Sequence, residues 1–203
     1  MRFEEAALHR YGGPVAGVDE AGRGPLAGPV VAAAVVLDVA RLPDGLADSK
    51  KLAPDVRAKL YEEITRSHAT SVGIVGPADI DQLNILRASL HAMTMAVSQL
   101  DVPPGVCLVD GNRLPELPCP GEAIVKGDAQ SLSIAAASIV AKVTRDRIMV
   151  ALDADYPGYG WAENMGYPTP AHRRALEQLG ATAEHRRSFA PVRAVLDARD
   201  RPA

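Results

Sequence analysis

Residues 15–37 read V-A-G-V-D-E-A-G-R-G-P-L-A-G-P-V-V-A-A-A-V-V-L. Two apolar runs, 15–18 and 30–37, are bounded by glycine and proline and predict two strands. The second is apolar without alternation, which predicts a strand covered on both faces. The first ends in two adjacent carboxylates, Asp19 and Glu20. Neither suits the end of a buried strand, because a desolvated carboxylate needs a cation or a shared proton. The connecting loop holds Gly22, Gly24 and Gly28 around Pro25, with Arg23 between the first two glycines. Glycine there lets a large partner approach the backbone closely. Strand, acid pair and open loop together suggest a metal site beside a docked polyanion.

Outward from this stretch the chain alternates. The connection 42–52 is polar and turn-rich. A helix is expected from Pro54, with Val56, Leu60 and Ile64 on one face and Ala53 as a poor cap, partly offset by Asp55. A third strand is expected over 70–75. The capping-box spacing of Asp79 and Gln82 predicts one helix to about Leu100. Short strands follow at 106–109 and 123–126, then a helix capped by Ser131 and running to about Ala154. Thr169-Pro170 opens a further helix to Leu179. Strands that alternate with helices predict an α/β fold, a sheet with helices packed on it.

Composition sets limits. The 203 residues fit one domain, 1–203, and a 47% hydrophobic content supplies a core, though only 4% of residues are aromatic. The net charge of -3 and pI of about 5.9 leave no global footprint of a nucleic-acid binder. A polyanion must then be held locally. Arg173, Arg174, Arg186, Arg187 and Arg193 supply a basic patch against Glu177 and Glu184. Cys107 and Cys119 imply no disulfide framework. The first ten residues lack the apolar core of a signal peptide, and 30–37 is too short to span a membrane. A soluble, cytoplasmic monomer is expected. The tail after Val195 is polar, without an apolar docking motif, and is expected to be disordered or loosely attached.

Three of the expected strands end in acid: V-D-E at 18–20, V-D-G-N at 109–112 and V-K-G-D at 125–128. If those strands are neighbours, Asp19, Glu20, Asp110 and Asp128 converge, and hard divalent cations with oxygen ligands are the natural counter-charge. Two such ions about 4 Å apart serve phosphodiester hydrolysis. Taken singly, Asp110 in Asp-Gly-Asn reads as a turn, and Asp128 as a charge near a helix N-terminus. Lys142, Arg145 and Arg147 read as surface partners of Asp146, and His172 as a helix-face residue.

The run 19–30 resembles the signature of bacterial ribonuclease HII. Four more segments match that family in the same order: Asp48-Ser49-Lys50-Lys51-Leu52, Val109-Asp110-Gly111-Asn112, Lys126-Gly127-Asp128 leading into 133–146, and Gly166-Tyr167-Pro168-Thr169. The resemblance covers about 15–189. It implies a ribonuclease H-like fold with a C-terminal helical segment, about 155–195, completing the substrate cleft. It implies an endonuclease that cuts RNA in RNA–DNA hybrids and incises at single ribonucleotides in duplex DNA, leaving 5′-phosphate and 3′-hydroxyl ends. Asp19, Glu20, Asp110 and Asp128 would hold Mn²⁺ or Mg²⁺, two ions with substrate bound and Asp19 touching both.

By the same resemblance Gly22, Arg23 and Gly24 would sense the ribose 2′-hydroxyl, the group that separates RNA from DNA. Tyr167 would pack on the sugar where DNA begins. Lys50, Lys51 and the nearby arginines would meet phosphates, which position a duplex without reading sequence. The chain departs from the family in having Asn164-Met165 where many members have lysine before Gly-Tyr, and Ala53 where serine or threonine is common. A non-catalytic binding module would be expected to lack at least one acid. Another nuclease or integrase of the fold would lack the Gly-Arg-Gly loop and Tyr167.

Overall fold

The computed structural model describes residues 1–46 and 52–199. Lys50 and Lys51, with the rest of 47–51, lie outside the described residues, so their expected phosphate contacts have no structural counterpart here. A five-stranded mixed sheet runs in the order β3-β2-β1-β4-β5. β1 is Val15–Ala21, β2 Val30–Val36, β3 Ala69–Val75, β4 Val106–Asp110 and β5 Gly121–Ile124. β1 and β2 pair antiparallel, as do β2 and β3, whereas β4 lies parallel to both β1 and β5.

Both faces of the sheet are covered, which explains the unbroken apolar run of β2. Val30, Ala32 and Ala34 pack with α4, Ile85–Ser98, while Ala33 and Val35 pack with α5, Leu132–Asp155. The helices come close because the facing residues are small. A Cβ on Gly17 of β1 would lie 2.0 Å from the Ser133 carbonyl carbon, and one on Gly73 of β3 would lie 2.1 Å from the Ala92 oxygen. Ala135, Ala136, Ala137 and Ala141 complete the flat underside of α5. Ser131 caps this helix, its hydroxyl accepting the Ile134 N–H at 3.2 Å.

Several expectations are corrected. Residues 79–100 are two helices, α3 (Pro77–Leu83) and α4, not one. Asn84 divides them at φ 66 and caps α4 by accepting from the Leu86 and Arg87 N–H groups. Asp79 caps nothing, since α3 starts at Pro77 after Gly76. In α2, Pro54–Ser67, Leu60 and Ile64 are buried but Val56 is 40% exposed. The fifth strand ends at Ile124, short of the expected 126, because Lys126 is left-handed at φ 57.

Both termini carry helices that periodicity did not suggest. α1, Arg2–Tyr11, is pinned to the start of α5 by the buried Glu4, whose Oε1 accepts from Ser131 Oγ and from the N–H and Oγ of Ser133. Residues 196–199 of the tail expected to be loose are the end of a helix, α8, Ala190–Arg199, and 200–203 lie outside the described residues. The helix buries Val192 against Leu26 and Leu176, and Arg199 donates to the Glu177 and Gln178 carbonyls at the end of α7. α7, Pro170–Leu179, starts at Thr169-Pro170 as expected, and the short α6, Trp161–Asn164, precedes it.

Candidate active site

Asp19, Glu20 and Asp110 sit where the ladder between β1 and β4 ends. The parallel register pairs Val18 with Val109, leaving Asp19 and Asp110 at the next position of each strand. Asp19 is buried, and its carboxylate accepts the Glu20 N–H at 2.7 Å and a hydrogen bond from Ser138 on α5. Its pKa is pushed well above the ordinary carboxylate range, first by burial and then by the charges of Glu20 and Asp110. Burial also raises Glu20, opposed by Arg23, whose Nη1 lies 3.2 Å from Glu20 Oε1. Asp110 is anchored separately: its Oδ1 accepts the Gly127 N–H at 2.6 Å.

Asp19, Glu20 and Asp110 thus repel one another as a group. Asp128 stands one residue beyond Gly127, in the turn Gly127–Ala129 after β5, where it is buried and borders a depression shared with Ser131, Leu132 and Ala135. Among the described residues, no three His, Cys, Asp or Glu side chains gather tightly enough to hold a metal ion. The donor chemistry nevertheless fits a hard divalent cation. All four groups are carboxylates, and Asp19 is charged only at a penalty that a cation would relieve.

Beside the acids lies a cleft of about 370 Å³, lined by Glu20, Gly22, Gly24, Ser138, Lys142 and Tyr167 among others. A Cβ on Gly24 would stand 3.5 Å from Tyr167 Cε1, so loop and ring face each other across it. Tyr167 is 41% exposed.

Two arginines hold the loop. Arg186 is fully buried and donates to four carbonyls, those of Gly22 (2.6 Å), Gly28 (3.0 Å), Pro29 (3.1 Å) and Arg23 (3.2 Å). Arg145 is also buried and donates to Pro29 (2.9 Å), Met165 (3.0 Å) and Ala27 (3.1 Å). Burial pulls both guanidiniums down, Arg186 to about 9 with help from the charge of Arg145, and both stay protonated at neutral pH.

This corrects two readings. Arg186 belongs to no exposed basic patch, and Arg145 is no surface partner of Asp146. Lys142 is that partner at 2.8 Å, while Arg147 reaches Glu62 of α2. His172, expected on a helix face, is fully buried. An arginine in an apolar helix run was the available signal for Arg145; Arg186 carried none. Met165 is left-handed at φ 51 and packs with the cluster containing Met149 and Trp161.

Comparison with known proteins agrees with this architecture. The family model for Ribonuclease HII matches residues 16–192. The ribonuclease HII of Magnetococcus marinus is 61% identical over 183 residues, covering 89% of this chain and 86% of its own. That of Paracoccus denitrificans is 58% identical over 195 residues, covering 96% and 93%. Among solved structures, the ribonuclease H2 of Pyrococcus horikoshii OT3 superposes with a TM-score of 0.77 at 32% identity, over 92% of this chain and 99% of that one. The RNase HII chain in a PCNA complex from Archaeoglobus fulgidus gives 0.74 at 30% identity, over 85% and 93%. The chain belongs to the ribonuclease HII family and is a metal-dependent endoribonuclease of the kind that cuts RNA in RNA–DNA hybrids.

Proposed function

We propose that this enzyme incises duplex DNA at single embedded ribonucleotides as well as cutting longer hybrids. The observation that carries the reading is the narrow cleft between Gly24 and Tyr167, opening directly onto Glu20. Gly22, Arg23 and Gly24 receive the 2′-hydroxyl. Arg186, bonded to the Gly22 and Arg23 carbonyls, holds the loop so that its backbone groups meet the hydroxyl. Tyr167 packs on the following sugar, where a flat ring leaves no room for a second hydroxyl and so favours an RNA-to-DNA junction.

Asp19, Glu20, Asp110 and Asp128 hold the divalent ions, Mn²⁺ or Mg²⁺. Bound there, such ions would supply Lewis-acid activation of a water and counter-charge for a leaving oxygen. The chain's own part is to fix the acids. Ser138 and the Glu20 amide orient Asp19, and the Gly127 amide orients Asp110. Lys50 and Lys51 contact phosphates of the duplex, and the segment from α6 to α8 closes the cleft.

A labelled duplex carrying one ribonucleotide tests this. Incision at the ribonucleotide is expected with Mn²⁺ or Mg²⁺, leaving 5′-phosphate and 3′-hydroxyl ends, with an all-DNA duplex left intact. Cutting confined to long hybrids would refute the single-ribonucleotide reading.

A further inference from the structure

His172 and His185 take no part in the chemistry described so far, yet both are buried, and His172 is bonded to the backbone of Tyr167, which lines the cleft. Their hydrogen bonds admit a single pair of tautomers. His185 Nδ1 accepts the Thr182 backbone N–H at 3.0 Å, so the neutral ring carries its proton on Nε2. That N–H faces His172 Nε2 at 3.3 Å, which also accepts Trp161 Nε1–H at 3.0 Å. His172 must therefore carry its proton on Nδ1, where it donates to the Tyr167 carbonyl at 2.9 Å. Burial, with His172 alongside, pulls His185 down to about 4, which agrees with a neutral pair.

The adjacent residue holds the opposite wall. Arg186 grips the Gly22 and Arg23 carbonyls. The segment carrying both residues is itself tied to the loop, since the Arg186 N–H donates to Leu26 O at 2.8 Å and His185 bridges Ala27. His185 thus reaches the Tyr167 wall through His172, and Arg186 reaches the glycine wall directly.

We infer that His172 and His185 are positioning residues that, with Arg186, set the gap between Tyr167 and the Gly22-Arg23-Gly24 loop, and so the selectivity for an RNA-to-DNA junction. The inference rests on the junction role proposed for Tyr167. A shift of about 1 Å in such a gap is enough to change rates severalfold to a hundredfold.

The test compares kcat and KM on a single-ribonucleotide duplex and on a long hybrid for wild type, Tyr167→Ala, His172→Leu and His172→Asn. Tyr167→Ala and His172→Leu are each expected to lower the ratio of the two kcat/KM values by about tenfold, mainly through kcat on the junction substrate. His172→Asn, whose amide can replace the Nδ1–H donor, is expected to recover most of that loss. If Tyr167→Ala lowers the ratio and His172→Leu does not, the positioning role is overturned while the Tyr167 reading survives. If Tyr167→Ala leaves the ratio unchanged, the junction reading falls and takes this one with it.

Nitrogen-15 NMR of the histidines in the wild-type protein gives a second, independent check should His172→Leu fail to fold. At pH 7, His172 protonated on Nδ1 and His185 protonated on Nε2 are expected. The opposite tautomers would overturn the relay whatever Tyr167 does.

Discussion

Arg145 on α5 and Arg186 in the segment before α8 converge on one atom, the carbonyl oxygen of Pro29, at 2.9 and 3.1 Å. Two buried guanidiniums so close repel each other, and desolvation adds to the penalty. Each also donates to further carbonyls, Arg145 to Ala27 and Arg186 to Gly22, Arg23 and Gly28, in an irregular loop without a ladder of its own. The pair lets a glycine-rich turn be both open to substrate and rigid.

Removing one member of that pair should expose its weight. Arg186→Gln leaves several buried carbonyls without a donor, and a loss of about 3 kcal/mol in folding stability is expected. A denaturant titration measures it. Junction cleavage should fall more than hybrid cleavage, because the loop and not the acids is disturbed. An unchanged midpoint would mean that the loop does not depend on Arg186.

The two glycines flanking Arg23 should respond differently. Gly22 sits at φ +98, and a Cβ there would lie 2.1 Å from Arg145 Nε and 2.8 Å from Pro29 O. Gly22→Ala is expected to destabilise the fold by about 2 kcal/mol or more and to abolish incision. A Cβ on Gly24 would meet only Tyr167 Cε1, at 3.5 Å. Gly24→Ala should melt like wild type yet lose selectivity for the single ribonucleotide. Thermal melts with paired cleavage assays separate the two; equal melting temperatures would contradict the account of Gly22.

The contrast between these positions marks what could be read from the residues alone. β1, β2, the acid pairs and the loop were legible because strand ends, glycines and carboxylates are local signals. Asn84 was not, since a left-handed break inside an apolar helical pattern depends on its side chain capping the next helix. Nor was the role of Arg186, which bonds to residues that precede it by most of the chain. α8 was missed because its burial is supplied by Leu26 and Leu176 rather than by a strong stripe of its own. Of the acids, Asp128 taken singly reads in sequence as a charge near a helix N-terminus, and only its place at a strand end groups it with the others. In the fold it lies next to Gly127, whose N–H holds Asp110, and among the described residues no three acids gather tightly enough to hold a metal ion.

Asp19 should illustrate a conflict between stability and activity. Its buried carboxylate is destabilised by its own desolvation and by Glu20 and Asp110. Asp19→Asn keeps the shape and removes the charge, so the metal-free protein is expected to gain about 1–2 kcal/mol while cleavage is lost. Mg²⁺ should raise the melting temperature of wild type but not that of the variant. A metal-free variant less stable than wild type would contradict this.

His185 supplies an acid dependence. Above pH 6.5, its ordinary value, the ring is neutral in folded and unfolded chains and contributes no slope. Between 6.5 and its folded value of about 4, the unfolded chain takes up a proton that the folded ring refuses, so stability falls as pH falls. The loss down to pH 5 is about 2 kcal/mol. Asp19 and Glu20, raised in the fold, act in the opposite direction over this range, so wild type is compared with His185→Gln, which shares them. Denaturant midpoints from pH 7 to 5 should fall less steeply in the variant, and parallel curves would exclude the effect.

The central claim is that these carboxylates, loaded with a divalent ion, cut beside a single ribose recognised by the neighbouring loop. The most direct test is cleavage of a duplex with one ribonucleotide by wild type and by Asp110→Asn, each with Mn²⁺, with Mg²⁺ and with chelator. Incision by wild type only in the presence of a divalent ion, and none by a folded Asp110→Asn protein, is the expected result. Wild-type turnover by that variant, or incision in chelator, would contradict the account.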